Sequence, residues 1–184
     1  SGWYGVWNIK DNSNATSDSV PLLVVTSGTI SASGVGSSAI KNQWWVRTAI
    51  QKCGGSYNNG ACFGEVVING GTITSDNIGI SNADSTNSVG QIAINGGTIH
   101  GDKYGVYNYS YTRVKGDNNF LGMKNACIEK SGYNNYDCST ILMKGGKVTS
   151  YNFGIYSIGG VVTMMKGDSI PEVKVTYNSS KTVR

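Results

Sequence analysis

The sequence predicts an all-β protein, a parallel β-helix or β-solenoid of about five coils interrupted by two inserts, and three observations carry that prediction. Asn-Gly-Gly-Thr-Ile occurs at Asn69–Ile73 and again at Asn95–Ile99, with looser copies at Thr26–Ile30, Lys144–Val148 and Lys166–Ile170. A second motif alternates with it five times, as Tyr4-Gly5-Val6-Trp7-Asn8, Ser38-Ala39-Ile40-Lys41-Asn42, Ile78-Gly79-Ile80-Ser81-Asn82, Tyr104-Gly105-Val106-Tyr107-Asn108 and Phe153-Gly154-Ile155-Tyr156-Ser157. In three of the five turns, seven positions separate the end of the first motif from the apolar centre of the second: Ile73 to Ile80, Ile99 to Val106 and Val148 to Ile155.

The intervals give the coil length. The second glycine of the first motif recurs after 26 residues, from Gly71 to Gly97, and its position recurs after 22 between Gly146 and Asp168. Both values suit one turn of a solenoid. The other intervals, 43 from Gly28 to Gly71 and 49 from Gly97 to Gly146, each hold a coil plus an insert of about 20 residues. The inserts fall roughly at 43–65 and 109–139 of a single domain spanning 1–184.

Within a coil the pattern is extended. Val66-Val67-Ile68, Gln91-Ile92-Ala93-Ile94 and Ile141-Leu142-Met143 are short runs, rich in β-branched residues and closed by glycine, and no long helical periodicity competes with them. Strands that return once per coil stack in parallel at about 4.8 Å, for a core about 24 Å long. Alternation from Val6, Ile40, Ile80, Val106 and Ile155 points these five inward. Strict alternation then places Tyr4, Ile78, Tyr104 and Phe153 inside as well, and makes an inward ladder of Asn8, Asn42, Asn82 and Asn108, each amide able to bond the neighbouring coil. The glycines serve the bends, where a side chain would clash or φ must be positive. Asp11–Ser19 reads as a polar loop, and the segment from Val173 to Arg184 as a last strand followed by a frayed tail.

Composition agrees: 26 glycines, two prolines and 14% charged residues suit a turn-rich β domain. No signal peptide or membrane-spanning run is read, and the expectation is a portion of a longer exported protein. The net charge of +4 is small and scattered, so a mildly basic solvated surface explains it and nucleic acid is not expected as a partner.

Four cysteines divide between the inserts, Cys53 and Cys62 with the first and Cys127 and Cys138 with the second. Four cysteines allow three pairings; the likeness of Ser56–Cys62 to Gly132–Cys138 favours the local one, in which each insert closes its own loop. Two such disulfides imply an oxidising, extracytoplasmic setting and contribute about 2–3 kcal/mol each. Free thiols or a zinc site are the alternative, although the spacings of eight and ten intervening residues differ from Cys-x-x-Cys.

Coils of the form apolar-x-apolar-Asn-Gly-Gly-Thr-Ile followed by x-Gly-Ile-Tyr-Asn resemble the β-helical repeats of secreted and cell-surface proteins of bacteria, especially Gram-positive gut bacteria. The resemblance covers most of the chain outside the inserts, and its motifs specify architecture and not activity. It implies a surface-displayed stalk, adhesin or filament component.

Two surface patterns suggest what such a scaffold holds. Trp7, Tyr107 and Tyr156 are outward positions of the second motif, and Tyr109, Tyr111 and Tyr151 stand nearby; flat exposed rings suit stacking on sugar faces, while packing under the inserts is the structural alternative. Val24, Val67, Ala93, Leu142 and Met164 form an apolar outward stripe, to be covered by the inserts, by another subunit in a filament or pilus-like assembly, or by a segment of a parent protein.

Other classes fare worse. A polysaccharide lyase or hydrolase would need clustered acids; Asp76 and Asp102 occupy equivalent positions on adjacent coils, but Tyr151 replaces them on the next. His100 is the sole histidine, without a Gly-x-Ser-x-Gly motif. An ice-binding array would need regular threonine rows, and His100 and Lys147 interrupt them. The sequence is therefore read as a noncatalytic extracellular surface protein, an adhesin or structural subunit, with a carbohydrate-binding module or polysaccharide-cleaving enzyme as the alternative. No catalytic residue, metal site or cofactor is assigned.

Overall fold

A computed structural model describes residues 3–10, 22–45, 64–82, 88–109, 117–120, 123–126, 139–158 and 161–176. The chain winds through repeated circuits of three strands. The first circuit comprises β1 (Tyr4–Lys10), β2 (Leu22–Val25) and β3 (Thr29–Ala32), and the second β4 (Ser38–Trp45), β5 (Gly64–Ile68) and β6 (Thr72–Ser75). The third comprises β7 (Ile78–Asn82), β8 (Ser88–Ile94) and β9 (Thr98–Gly101). The fourth begins with β10 (Tyr104–Tyr109), is interrupted by β11 (Asp117–Phe120) and β12 (Met123–Ala126), and resumes with β13 (Thr140–Met143) and β14 (Lys147–Ser150). The last is β15 (Phe153–Ile158), β16 (Val161–Met164) and β17 (Glu172–Val175).

Equivalent strands stack. The first strands of the circuits form sheet A (β1, β4, β7, β10, β15), the second sheet B (β2, β5, β8, β13, β16) and the third sheet C (β3, β6, β9, β14, β17), parallel throughout. Trp44 and Trp45 also pair antiparallel with Val89 and Ser88, which ties sheet A to sheet B. The extra strands β11 and β12 pair with each other, antiparallel, inside the second insert. No helix occurs among the described residues, and none is long and apolar enough to cross a membrane. This is a β-solenoid.

Stacking in register turns each apolar motif position into a column. Val6, Ile40, Ile80, Val106 and Ile155 form one on sheet A, and Ile30, Ile73, Ile99, Val148 and Val173 face it from sheet C. Sheet B adds Val66, Ile68, Ile92, Ile94, Ile141 and Met143. The central members are wholly buried, each contributing about 1.5–3 kcal/mol of transfer free energy.

The Asn-Gly-Gly turn explains itself residue by residue. Backbone bonds run through it from coil to coil, Thr72 N to Gly28 O at 2.8 Å and Thr98 N to Gly71 O at 2.9 Å. The second glycine sits at φ of 83° in Gly71 and 78° in Gly97, a left-handed conformation that a side chain strains. On the outside of the turn Asn95 Nδ2 donates to Asn69 Oδ1 at 2.8 Å.

The inward asparagines form the expected ladder. Asn8 Nδ2 donates to Asn42 Oδ1 at 2.8 Å, Asn42 to Asn82 at 2.9 Å, Asn82 to Asn108 at 2.7 Å, and Asn108 to Ser157 Oγ at 3.0 Å. The same amides reach across to sheet B, Asn8 to the Glu65 carbonyl and Asn82 to that of Gly90, both at 3.0 Å. Side-chain amides thus satisfy the corner where the chain leaves sheet A.

Two expectations are corrected. Tyr4, Tyr104 and Phe153 do not point inward: Tyr4 packs beside the exposed Trp7, Tyr104 beside Tyr107 and Tyr156, and Phe153 is 41% exposed. The glycine that follows each ring is the cause. A Cβ on Gly105 would meet Val148 Cγ1, one on Gly154 Val173 Cγ1 and one on Gly5 Ile30 Cγ2 at 3.0 Å, and Gly79, which follows Ile78 in register with Tyr104, faces Ile99 Cγ2 in the same way, so these glycines turn their α-carbons toward sheet C. Glycine and the next residue are then both inward, and alternation restarts one position late. The second correction concerns Met164, which pairs with the inward Met143, leaving Thr163 opposite Leu142 on the outer row. Gly167 takes the place of Gly145 in the turn, its amide donating to Lys144 O at 2.9 Å. Three positions separate Met164 from Gly167 but two separate Met143 from Gly145, and a one-residue difference moves a side chain to the opposite face.

Candidate functional site

Among the described residues, the outer face of sheet A carries the largest group of packed aromatic rings. Tyr104, Tyr107 and Tyr109 come from β10 and Phe153 and Tyr156 from β15, one rung further on. Parallel pairing brings the rings together as a ladder: Tyr107 and Tyr156 stack at 5.9 Å between centroids with 16° between planes, and Tyr104 and Phe153 at 5.7 Å with 23°. Tyr109 stacks on Tyr107 at 6.5 Å, and Tyr104 leans on Tyr156 at 5.2 Å. Each such pair contributes about 0.5–1.5 kcal/mol beyond area burial, so the platform is fixed before any ligand arrives. Phe153 is exposed and the four tyrosines are partly so.

Of the rings expected to act together, the structure unites Tyr107, Tyr109 and Tyr156 and separates Trp7 and Tyr151 from them. Trp7 lies three rungs away, about 14 Å, across Lys41 and Ser81. It packs against Tyr4 at 5.6 Å, and Lys41 closes that pair, its Nζ donating to Tyr4 Oη at 2.9 Å and lying 5.6 Å from the Trp7 ring. Tyr151 stands at the bend between sheets C and A. Tyr104 and Phe153 are the members that sequence reasoning missed; the glycine after each ring was the available signal.

Tyr151 belongs to a different cluster. Its ring meets His100 edge-on at 5.1 Å; His100 Nδ1 lies 2.9 Å from Thr149 Oγ1 and Nε2 3.2 Å from Asp102 Oδ1. Asp102 is nearly buried, and Thr149 also donates to the Ile99 carbonyl at 3.3 Å. With both ring nitrogens of His100 engaged, the group clasps two coils together. Asp76, on the preceding bend, accepts from the Gly34 amide at 2.9 Å. The two acids of equivalent position are therefore committed to different partners.

On the outer face of sheet B, Val24, Val67, Ala93 and Leu142 stand in register. Ala93 and Leu142 are fully buried within the single chain, Val67 is half-buried and Val24 is 47% exposed. The middle of the stripe is thus unavailable to a second subunit. Neighbouring Gln91 and Thr140 are buried too, and burial lifts the pKa of the Glu65 carboxyl, next to Gln91, above the ordinary carboxylate range. Cys53, Cys62, Cys127 and Cys138, with the disulfides expected of them, lie outside the described residues, and among the described residues no group of three potential metal ligands gathers.

No protein family, curated protein or solved structure matches this chain. The site must therefore be read from its own geometry.

Proposed function

We propose that this protein is a noncatalytic extracellular adhesin that presents an aromatic platform for carbohydrate, together with two inserts closed by Cys53–Cys62 and Cys127–Cys138, on a rigid solenoid. The platform of Tyr104, Tyr107, Tyr109, Phe153 and Tyr156 carries the proposal. Sugar rings offer apolar C–H faces edged by hydroxyls; tyrosine answers both, with a flat ring and a phenolic oxygen at its rim. Because neighbouring rungs hold the rings in register, little ordering entropy remains to be lost on binding. The resemblance of the repeats to secreted and cell-surface proteins of Gram-positive gut bacteria supports an extracellular place of action.

A glycan array followed by calorimetric titration tests this reading. Binding of at least one glycan is expected, with affinity falling about tenfold or more in Tyr107→Ala/Tyr156→Ala while the β-sheet circular dichroism is retained. An array without signal, or binding indifferent to the double substitution, would refute it. Shortening of a polysaccharide during incubation would favour the cleaving enzyme instead.

A further inference from the structure

The strands of sheet A contain no aspartate or glutamate: β1, β4, β7, β10 and β15 hold two charged residues, Lys10 and Lys41, and Lys103 stands immediately before β10. The sheet beneath the aromatic platform thus brings it positive charge alone. Lys103 is placed at the rim of the platform. Its Nζ lies 5.4 Å from the centroid of the Tyr104 ring, which in turn meets Tyr107 at 5.3 Å and Tyr156 at 5.2 Å.

The backbone that carries this ammonium is fixed on both sides. The Lys103 amide donates to the Asn77 carbonyl at 2.9 Å, and its carbonyl accepts from Phe153 N at 3.0 Å, which ties the residue to the coils before and after its own. Asp102, the carboxylate next to it in sequence, is nearly buried and faces His100 Nε2 at 3.2 Å instead. Lys103 takes part in neither the His100–Asp102 pair nor the Lys147–Glu172 pair. The face of Tyr104 attracts its charge, but an ammonium has three N–H donors, and a ring does not occupy them all.

We propose that the platform takes an anionic saccharide, its sugar face against the rings and its carboxylate or sulfate on Lys103 Nζ. This inference rests on the carbohydrate reading of the same rings and adds the charge of the ligand. A substituent of a sugar seated over Tyr104 projects at the rim of that ring, where the ammonium already stands. An acidic substituent there gains a charge-assisted hydrogen bond from a donor held in place beforehand, and no carboxylate of the sheet A strands repels it. Carboxylate and sulfate share this chemistry.

Calorimetric titration with matched pairs of oligosaccharides tests this: an oligogalacturonate against its methyl-esterified form, and a sulfated cello-oligosaccharide against its unsulfated parent. The charged member of at least one pair should bind about fivefold tighter at low salt, with the difference shrinking at about 0.5 M salt. A preference confined to one pair supports the proposal and tells which anion is taken. Lys103→Gln should bring the charged form down to its uncharged partner, Lys103→Arg should keep the preference, and Lys174→Gln, an equal loss of charge on the exposed face of sheet C, should leave it intact. Circular dichroism of each variant checks the fold. Equal binding within both pairs, a preference that outlasts Lys103→Gln, or an equal loss in Lys174→Gln overturns the proposal. Equal binding that still depends on Tyr107 and Tyr156 leaves the carbohydrate reading standing; no binding of any saccharide removes both.

Discussion

Replacing Asn82 by alanine probes the interior ladder where it is most tightly enclosed. Asn82 is wholly buried in the third circuit; its Nδ2 donates to Asn108 Oδ1 at 2.7 Å and to the Gly90 carbonyl at 3.0 Å, and its Oδ1 accepts from Asn42 Nδ2 at 2.9 Å. Three bonds at about 1 kcal/mol each, and buried polar neighbours deprived of a partner that water cannot replace, put the cost at about 4 kcal/mol. That is a large part of the stability of a domain this size, which lies at about 5–15 kcal/mol. Asn8→Ala removes the half-buried first member and its bonds to Asn42 and the Glu65 carbonyl, where solvent can substitute, for about 1 kcal/mol. Asn82→Asp keeps the shape but aims an acceptor at the Asn108 oxygen and the Gly90 carbonyl, so it should cost at least as much as the alanine change. Urea denaturation followed by circular dichroism measures all three. A cost below about 1 kcal/mol for Asn82→Ala, a cost equal to that of Asn8→Ala, or a tolerated Asn82→Asp would refute this role of the ladder.

Three further outcomes are expected. Gly97→Ala, at φ 78° and with its new Cβ 2.9 Å from the Gly70 carbonyl, should lower stability by more than about 2 kcal/mol, whereas Gly28→Ala, at φ 85° with nothing within 4 Å, should cost about 1 kcal/mol; equal losses in urea denaturation would contradict the close approach of coils at the turn. Burial raises the Glu65 pKa above its unfolded value, so its contribution to stability is present below the unfolded pKa and lost as pH rises through the folded one. Glu65→Gln should therefore melt higher than the parent at neutral pH, with the gap closing in acid, and thermal scans at several pH values would show a constant gap if this is wrong. Titration of the denatured, unreduced protein should find no free thiol; four free groups would remove the argument for an extracellular setting.

Much of the architecture could be read from the sequence because each coil repeats the same physical requirements. A Gly-Gly turn, an inward aliphatic and an inward amide recur at fixed separation, and stacking makes every recurrence a contact. The aromatic face was harder to read. Period-two alternation gives the wrong side for Tyr104 and Phe153 because it holds only while the backbone runs straight, and Gly105 and Gly154 turn it. Met164 was misassigned for a related reason: one extra residue before Gly167 moves the strand relative to its turn. The clasp of His100, Asp102, Thr149 and Tyr151 was within reach, since aligning Thr74, His100 and Thr149 as one row already sets His100 beside Thr149 across 49 residues. The inserts lack the repeat and so offer no comparable template for their interior.

The amide column has a direction. Every side-chain bond from Asn8 to Ser157 is donated toward the C-terminal end, so the N–H dipoles add instead of cancelling. The solenoid thereby acquires an axial polarity of the kind familiar in the α-helix, with partial positive charge at its last coil and partial negative charge at its first. The asparagines that close the same corner in successive coils thus also give the whole stack a single electrical sense along its axis.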